Sequence, residues 1–446
     1  FFVLRSTRKC IALNGFNLDA LSIKTKGQLQ AYLPALAATA KPNTPVTQGM
    51  TVSGNISTSP FNLRQLMQDL GMAIPVMKDT NTLKTVSVNS QISGNDQSML
   101  LKGMKVQLDE STLTGDAGIS DLKTQKLYAR LAVDKINVDR YLPPTDPNAK
   151  PSAGGLLPIE LLKKQNVDVV LTIGSLTAMN YPIKQLQVVT IANGGVVQVS
   201  KLGGSIYNGT FNLPTTIDVR GKEPIVTVQP NIQQIDIATV IQQFTKKDLF
   251  AGKTAFQGKL QLTGNTVQAW TNSVSGNSAL KFDNGVFKGV NIMQLALTEL
   301  SNNKALAPFL SAQDAKTIAN KQNDTEISSF LGEADIKNGL VNTKSLNADL
   351  KKGKIEGGGS FNLVNMEADY SFKLHLDKSV AGEVMANYPI PIRCKGNISA
   401  AAKLCTVDSR AVREMATSAV LNSEKGQTVK ADVEAKTSEA QAKAKL

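Results

Sequence analysis

Few residues of this 446-residue chain could carry catalysis, and their spacing argues against an enzyme. The one histidine, His375, stands between Leu374 and Leu376, so it falls on the polar side of a predicted strand together with Lys373 and Asp377. A solvated strand position explains this histidine better than a catalytic role does. The sequence also contains no GxSxG nucleophile elbow, no Walker phosphate loop and no carboxylate pair at metal-ligand spacing. We therefore predict no enzyme activity, no catalytic residues, no cofactor and no metal site.

Three consecutive glycines, Gly357 to Gly359, are a second feature that could bind a ligand, because glycine-rich loops can cradle phosphates. No Lys-Ser or Lys-Thr pair follows them, and Gly359 leads into a predicted strand at Phe361. We interpret these glycines as a turn or a bulge within a sheet.

The three cysteines leave the redox state of the chain open. Cys394 and Cys405 flank a predicted turn at Gly396-Asn397 and could meet across a hairpin, which would fit an oxidising compartment. A disulfide and two free thiols are both compatible with this spacing. Cys10 would be unpaired if the other two bond.

The composition favours many short strands over large globular cores. Aromatic residues make up only 5% of the chain, although 41% of its residues are hydrophobic. No run of 18 apolar residues is present, so this chain is not expected to span a membrane. Its first residues also lack the zones of a signal peptide, and we expect the chain to be part of a longer protein.

The net charge of +13 comes mainly from scattered lysines, since only nine of the 49 basic residues are arginine. Arginine forks and aromatic residues interleaved with cations, which nucleic-acid readers use, are not found. We therefore expect no nucleic-acid partner. The lysines form either an ordinary solvated surface or one attracted to anionic lipid headgroups.

Period-two alternation of apolar residues runs through most of the chain and predicts antiparallel strands with one apolar face. Val169 and Leu171 share one such face, and so do Phe372 and Leu374. A six-residue pattern, in which an Asn or Asp lies between two apolar residues, predicts five places where a strand ends and a short helix begins. These places are Phe16–Leu21, Phe61–Leu66, Ile136–Tyr141, Ile235–Val240 and Val290–Leu295.

The stretch from Val274 to Leu300 combines these signals. Leu280 and Phe282 alternate with polar residues as in a strand, and Asn284-Gly285 predicts a tight hairpin there. Asn291 is a predicted helix cap.

Proline and glycine divide the chain. Residues 143–157 contain the clearest linker or loop, between a β-rich part at 1–142, truncated at its start, and a second at 158–408. Residues 409–446 read as a helix followed by a frayed or disordered tail.

Several motifs occur in a fixed order along the chain. The first set is Gly276, Asp283, Asn284, Gly285, Gly289, Asn291 and Ile292. A second set is Asp109–Gly115, Val138–Pro144, Pro389–Ile392, Gly396 and Asp408. In their order and spacing these motifs resemble the AsmA family of Gram-negative envelope proteins. The resemblance covers most of residues 50–410, and it implies a periplasmic protein held by an inner-membrane anchor that would precede this chain.

The resemblance also implies a function, because AsmA-like proteins are similar to bridge-type lipid-transfer proteins. The fold would be mainly β with short helices, forming a long curved antiparallel sheet whose groove shields acyl chains. Candidate lining residues are Val169, Leu171, Leu280, Phe282, Phe372 and Leu374. The expected partners are a phospholipid or another acyl lipid, the inner membrane and an outer-membrane partner. The alternatives are a dry β core and an envelope scaffold that binds no lipid.

Overall fold

The computed structural model describes residues 3–7, 10–21, 23–32, 49–144, 155–245, 248, 250–302, 324–399 and 404–421. The chain is mainly β with a few short helices, which confirms the predicted fold class. Two compact units are present. The first comprises residues 1–206, 210–230 and 263–266, and the second comprises 207–209, 231–262 and 267–446. Residues 145–154 of the predicted 143–157 linker lie outside the described residues, as does the tail beyond residue 421, so those boundaries stay predictions.

The strands of the first unit form a meander in which each strand pairs with the next. They are β1 (Val3–Thr7), β2 (Cys10–Ala20), β3 (Ile23–Tyr32), β4 (Thr51–Thr58), β5 (Val86–Asn95), β6 (Met99–Leu108), β7 (Ser111–Asp121), β8 (Lys126–Asn137), β9 (Val167–Ala178), β10 (Tyr181–Asn193) and β11 (Val196–Ile206). β12 (Gly209–Asn212) has residues in both units, and β13 (Thr215–Asp218) and β14 (Ile225–Val228) follow. β13 pairs with β11 and with β14.

One pairing departs from the antiparallel pattern of the other strands. β8 and β9 run parallel, with Leu131 opposite Leu171. Between them lie a 3₁₀-helix (Val138–Arg140) and helix α2 (Ile159–Lys164), which follows α1 (Leu63–Asp69) in the chain. A connection of this length returns the chain to the end of the sheet where β8 began, as parallel pairing requires.

The second unit is an antiparallel meander that carries helices. Its strands are β15 (Asn231–Asp236), β16 (Phe250–Thr263, of which Thr263 belongs to the first unit), β17 (Ser275–Phe287), β18 (Thr325–Lys337), β19 (Leu340–Leu350), β20 (Gly353–Asn362), β21 (Glu367–Leu376), β22 (Ile390–Asn397) and β23 (Cys405–Val407). Its helices are α3 (Ile237–Thr245), α4 (Val267–Ser273), α5 (Ile292–Asn302), α6 (Lys378–Met385, kinked at Gly382) and α7 (Ser409–Leu421). Each strand from β15 to β23 pairs with its successor.

Four of the five predicted strand-to-helix transitions are confirmed. Asn62, Asn137 and Asn291 each accept a backbone N–H in the first turn that follows, and Asp236 does the same for Ala238. The prediction at Phe16–Leu21 is wrong. There β2 continues to Ala20 and the left-handed Leu21 turns the chain into β3, so the backbone groups that would have begun a helix are taken by the β2–β3 ladder.

The predicted hairpin at Asn284-Gly285 is also wrong, because β17 continues through it to Phe287. A two-residue hairpin of this type needs positive φ at both central residues, and only Asn284 has it, at 53°. Asp283 pairs with Lys253 and Val286 with Ala251, so Asn284 and Gly285 together face Gly252. Two residues opposite one make a β-bulge.

An ionic network in the first unit joins the loop before β5 to the turn after β8. Arg140 donates to the carboxylates of Asp79, at 2.8 Å, and Glu110. Hydrogen bonds from the Asn81 backbone N–H and from Arg140 lower the pKa of Asp79, and the Arg140 hydrogen bond lowers the pKa of Glu110. The same two carboxylates raise the pKa of Arg140.

Asp109 extends this network to the backbone. Its carboxylate accepts the backbone N–H groups of Leu83, Lys84 and Thr85 and the Tyr141 hydroxyl, the last at 2.9 Å. Burial alone would raise the pKa of Asp109, but these hydrogen bonds together hold that pKa below its ordinary value. Burial, reinforced by Asp109, raises the pKa of Tyr141.

We expect the network to weaken in acid. The folded pKa values of Asp79, Asp109 and Glu110 are lowered, so its stabilisation is fully present above ordinary carboxyl pKa values of about 4. It is lost as the pH falls through the lowered folded values. Hydrogen exchange of peptides covering residues 76–85, corrected for intrinsic rates, should show protection that is constant from pH 7 to 5 and falls below pH 4. Equal protection at pH 3 and pH 6 would contradict this expectation.

Backbone crowding at Gly276 gives a stability prediction. Gly276 has a φ of 147°, and a Cβ there would overlap the backbone oxygen of Lys259, whereas Gly289 has a φ of 80° with no atom within 4 Å of a Cβ. Gly276→Ala should therefore lower the free energy of unfolding by on the order of 3 kcal/mol, because strain and overlap add. Gly289→Ala should cost about 1 kcal/mol.

Urea unfolding followed by the fluorescence of Trp270, the single tryptophan, measures both changes in the second unit. Equal losses for the two variants would show that the contact with Lys259 is relieved at no cost.

Candidate functional site

The register of the second unit aligns its inward side chains in transverse rows that cross the strands from β16 to β22. The first row is Leu260, Gly276, Ile336, Val341, Phe361, Ala368 and Gly396. The middle row is Gly258, Ser278, Ala334, Thr343, Gly359, Tyr370 and Cys394. The third row is Phe256, Leu280, Gly332, Leu346, Gly357, Phe372 and Ile392. The fourth row is Thr254, Phe282, Phe330, Ala348, Ile355, Leu374 and Ile390.

A cavity of about 640 Å³, here called the apolar cavity, lies on these rows. None of the described side chains that line it is charged, and its three hydroxyl groups belong to Ser278, Thr343 and Tyr370. The Thr343 and Tyr370 hydroxyls bond to each other at 2.9 Å. The volume is within the range of roughly 300 to 1,000 Å³ that is usual for small-molecule sites. The lining can therefore hold hydrocarbon.

Small residues create this space. The middle row has glycine, serine, alanine or threonine at every position from β16 to β20, between rows that carry larger side chains. In the third row, Gly332 and Gly357 lie beneath the aromatic rings of Phe330 and Phe372, where a Cβ would be crowded. Leu280 keeps 37% of its surface exposed, so solvent reaches the cavity lining.

The fourth row is closed by aromatic and helical packing. Phe282 stacks on Phe330 with ring centroids 4.3 Å apart and meets Phe250 edge-on at 4.5 Å. Helix α5 adds Ala296 and Leu300, both fully buried, to the same core. Further buried residues of this core are Val380, Ala381, Met385, Ile390 and Val412, from α6, β22 and α7. The cavity is thus bounded on this side by a packed core, and Phe282, Phe330, Ala348 and Ile355 of the fourth row contact both.

The sequence-predicted lining residues divide between these environments. Leu280, Phe282 and Phe372 line the apolar cavity. Leu374 has no exposed surface and lies in the packed core. It pairs with Ile355 and Ile390 and therefore belongs to the fourth row. Val169 and Leu171 are half-buried on the apolar face of the first unit, among the strands β8 to β10, and do not line the cavity.

The family-motif residues Gly276, Asn284, Gly285 and Gly289 occupy three different settings. Gly276 lies within β17, in the first row, and Asn284 and Gly285 form the bulge described above. Gly289 is in the turn before α5, where its N–H donates to Asp324. Only Gly289 therefore stands in a turn.

The structure has a disulfide between Cys394 and Cys405, with 2.06 Å between the sulfurs. The two residues face each other across β22 and β23, and both line the apolar cavity. Cys10, in β2, is a free cysteine with a half-buried side chain.

The remaining chemical candidates are structural. His375 is on β21, and its Nε2 is 3.8 Å from a Glu356 carboxylate oxygen across the ladder. Gly357, Gly358 and Gly359 lie inside β20 and pair with Phe372, Ser371 and Tyr370. Within the described ranges, no group of three His, Cys, Asp or Glu side chains could hold a metal ion.

Sequence reasoning missed several lining residues, among them Phe256, Phe330, Ala334 and Phe361. Alternation around Phe330, Gly332, Ala334 and Ile336 was a usable signal for β18. A search for apolar stripes gives little weight to Gly332 and Ala334, although these small residues leave space for the apolar cavity.

Comparison with known proteins gives a consistent result. The model of the AsmA family matches residues 7–346. Protein AsmA of Escherichia coli (strain K12) is 20% identical over 337 residues, which are 70% of this chain and 53% of that protein. The chain thus spans about half the length of this curated relative. No solved structure gives a significant match. In the part of the chain that the structure describes, no helix has the length and hydrophobicity needed to cross a membrane.

The disulfide beside the cavity should stabilise the second unit. It closes a loop with a sequence separation of 11, for which loss of chain entropy in the unfolded state predicts roughly 3 kcal/mol. Replacing both Cys394 and Cys405 with Ser should lower the free energy of unfolding by that amount in urea titrations followed by Trp270 fluorescence. Cys10→Ser, which breaks no bond, is the control, and an equal effect of the two changes would refute the expectation.

Proposed function

The chain belongs to the AsmA family, and from this premise we propose that it is a non-enzymatic envelope protein whose apolar cavity shields the acyl chains of phospholipid. Membership of the family suggests an envelope-associated role, and the family is not a known enzyme family. The finer statement, support of lipid transport between the inner and outer membranes and of outer-membrane assembly, is part of the proposal.

The observation that carries the proposal is the charge-free lining of a cavity that remains accessible. Moving hydrocarbon from water to an apolar surface is favourable by about 0.8 kcal/mol for each methylene. The cavity touches eight strands, β16 to β23, which at ordinary strand spacing extend over roughly 34 Å. One acyl chain spans about 15 Å, half of a bilayer's hydrocarbon core. The row direction is therefore long enough for an extended tail.

The polar groups of the lining agree with this ligand class. The Thr343 and Tyr370 hydroxyls share a hydrogen bond, and the described lining has no charged side chain that would call for an ionic ligand. A lipid tail needs no hydrogen bonds, and its headgroup would stay in water. We further propose that the protein acts in the periplasm, anchored to the inner membrane through a segment outside this chain, with a partner at the outer membrane.

The alternative function, an envelope scaffold that binds no lipid, would leave the apolar cavity without a ligand. An apolar cavity of this size costs stability, because its lining lacks packing partners on one side. Lipid extraction from purified protein followed by mass spectrometry separates the two functions. The proposal expects phospholipid to copurify in a reproducible ratio, and protein free of lipid would favour the scaffold.

Leu280→Asp tests the cavity with a charge. A carboxylate among hydrocarbon costs enough that bound lipid should fall about tenfold or more. Leu331→Asp is a matched control, because Leu331 is 44% exposed and lies on the outward face of the neighbouring strand. Circular dichroism establishes that both variants fold. Equal lipid content in the two folded variants would contradict the proposal.

Ala334→Trp tests the same space by filling it. Ala334 is at the centre of the middle row, so an indole there should displace the acyl chain without adding charge. Glu333→Trp places the same ring on the exposed opposite face of β18 and should leave lipid content unchanged. Wild-type lipid content in folded Ala334→Trp would show that lipid binds elsewhere.

A further inference from the structure

A second apolar surface lies in the first unit, on loops at one end of its strands. It consists of Met72, Val76, Leu142 and Met179, which are 55%, 72%, 50% and 75% exposed and are here called the loop patch. Large apolar side chains exposed together in this way mark interaction sites on soluble domains. The apolar cavity of the second unit includes none of them.

Hydrogen bonds bring the loops of the patch together. The backbone N–H of Lys78 donates to the carbonyl oxygen of Leu142 at 2.7 Å, which joins the Val76 loop to the turn after β8. The Asp139 carboxylate accepts the N–H groups of Met179 and Asn180 at 2.6 and 2.7 Å, which joins that turn to the loop after β9. Three chain segments far apart in sequence, those of Val76, Leu142 and Met179, are therefore held close to one another.

The ionic network adds side-chain bonds between these loops. Arg140 links Asp79 to Glu110, and Tyr141 links Asp109 to the same turn. Such loops need little further ordering on binding, and preorganisation of this kind favours association. The network thus supports side chains that themselves pack against little.

The charged residues around the loop patch indicate which kind of partner could bind there. Within residues 69–84 and 138–142, the exposed charged residues are Asp69, Lys78 and Lys84, while Asp79, Asp139 and Arg140 are half-buried and bonded to one another or to the backbone. The nearby carboxylates of Asp109 and Glu110 are also engaged. Outward, the patch therefore combines apolar tips with exposed lysines.

We propose that the loop patch docks onto the surface of an anionic lipid bilayer, with its apolar tips in the interfacial region and Lys78 and Lys84 near the headgroups. Interfacial binding grows with buried apolar area and with attraction to anionic lipid, and this surface supplies both. A bilayer suits isolated side chains on separate loop tips, because they can enter a soft interface without a complementary groove. The proposal concerns docking of the first unit and does not require lipid in the second.

Vesicle flotation tests the proposal with the chain as it is. The protein should float with vesicles of phosphatidylethanolamine and phosphatidylglycerol, and bind those of phosphatidylcholine more weakly. The double variant Val76→Asp/Met179→Asp should lose most of this binding. Ile191→Asp/Ile225→Asp is the matched control, because these residues are 51% and 40% exposed in the same unit but lie within β10 and β14, and the variant adds the same two charges. Equal binding by the double variant and the control would overturn the proposal.

The lysines give an independent measurement. Lys78→Gln and Lys84→Gln should each weaken binding to anionic vesicles about fivefold, and this difference should shrink at high salt. If neither substitution weakens vesicle binding, the proposed attraction between these lysines and anionic headgroups is refuted. If patch variants abolish binding to a purified protein partner while vesicle binding is unchanged, the patch is a protein interface and the proposal fails.

Failure here is distinguishable from failure of the cavity function. Leu280→Asp should lose copurifying lipid and still float with anionic vesicles. Val76→Asp/Met179→Asp should stop floating and retain copurifying lipid.

Discussion

The cross-strand register of the second unit is the constraint on which its cavity depends. A register shift of one residue in any strand would move that strand's inward side chains to the outer face. With the observed register, glycine, serine, alanine and threonine from five successive strands fall into one row, between rows of leucine, isoleucine and phenylalanine. Each of these small residues is unremarkable within its own strand. Space for a ligand arises only from their alignment.

Bulges adjust this register where simple alternation would fail. Thr343 and Leu346 both line the cavity although three positions separate them, because Thr343 pairs with Gly359 and Leu346 with Gly357. Lys344 and Ser345 together face Gly358, so the extra residue in β19 restores the inward direction for Leu346. A second bulge lies at Asn284-Gly285, close to Phe282 of the fourth row, whose ring contacts that of Phe250.

Charged side chains have different roles in the two units. In the second unit, charged residues such as Lys281, Glu333 and Asp335 stay on the outer face, which leaves the inner face to hydrocarbon. In the first unit, Arg140 and the carboxylates around it hold loops in place at the ends of the strands. Burial is only partial there, so these ion pairs matter more for loop geometry than for the free energy of unfolding. Side chains presented by those loops are apolar.

The sequence by itself determined the mainly β fold, most strand-to-helix transitions and the absence of recognisable catalytic motifs. These follow from local patterns, since alternation, Asn caps and missing nucleophile motifs are visible within a few residues. It also supplied the family motifs, and it left the pairing of Cys394 with Cys405 open. The two errors at Phe16–Leu21 and Asn284-Gly285 arose where a paired strand took the backbone groups that a local signal had assigned to a helix or a hairpin.

Only the tertiary structure decided which apolar stripes are hollow and which are packed. Phe372 and Leu374 are equivalent by alternation, yet one lines the cavity and the other is sealed in the core. The difference comes from helices α5, α6 and α7, which cover the fourth row and leave the middle row uncovered. Contacts of this kind join residues more than a hundred positions apart, such as Leu300 and Val412 in one core, and no local pattern encodes them.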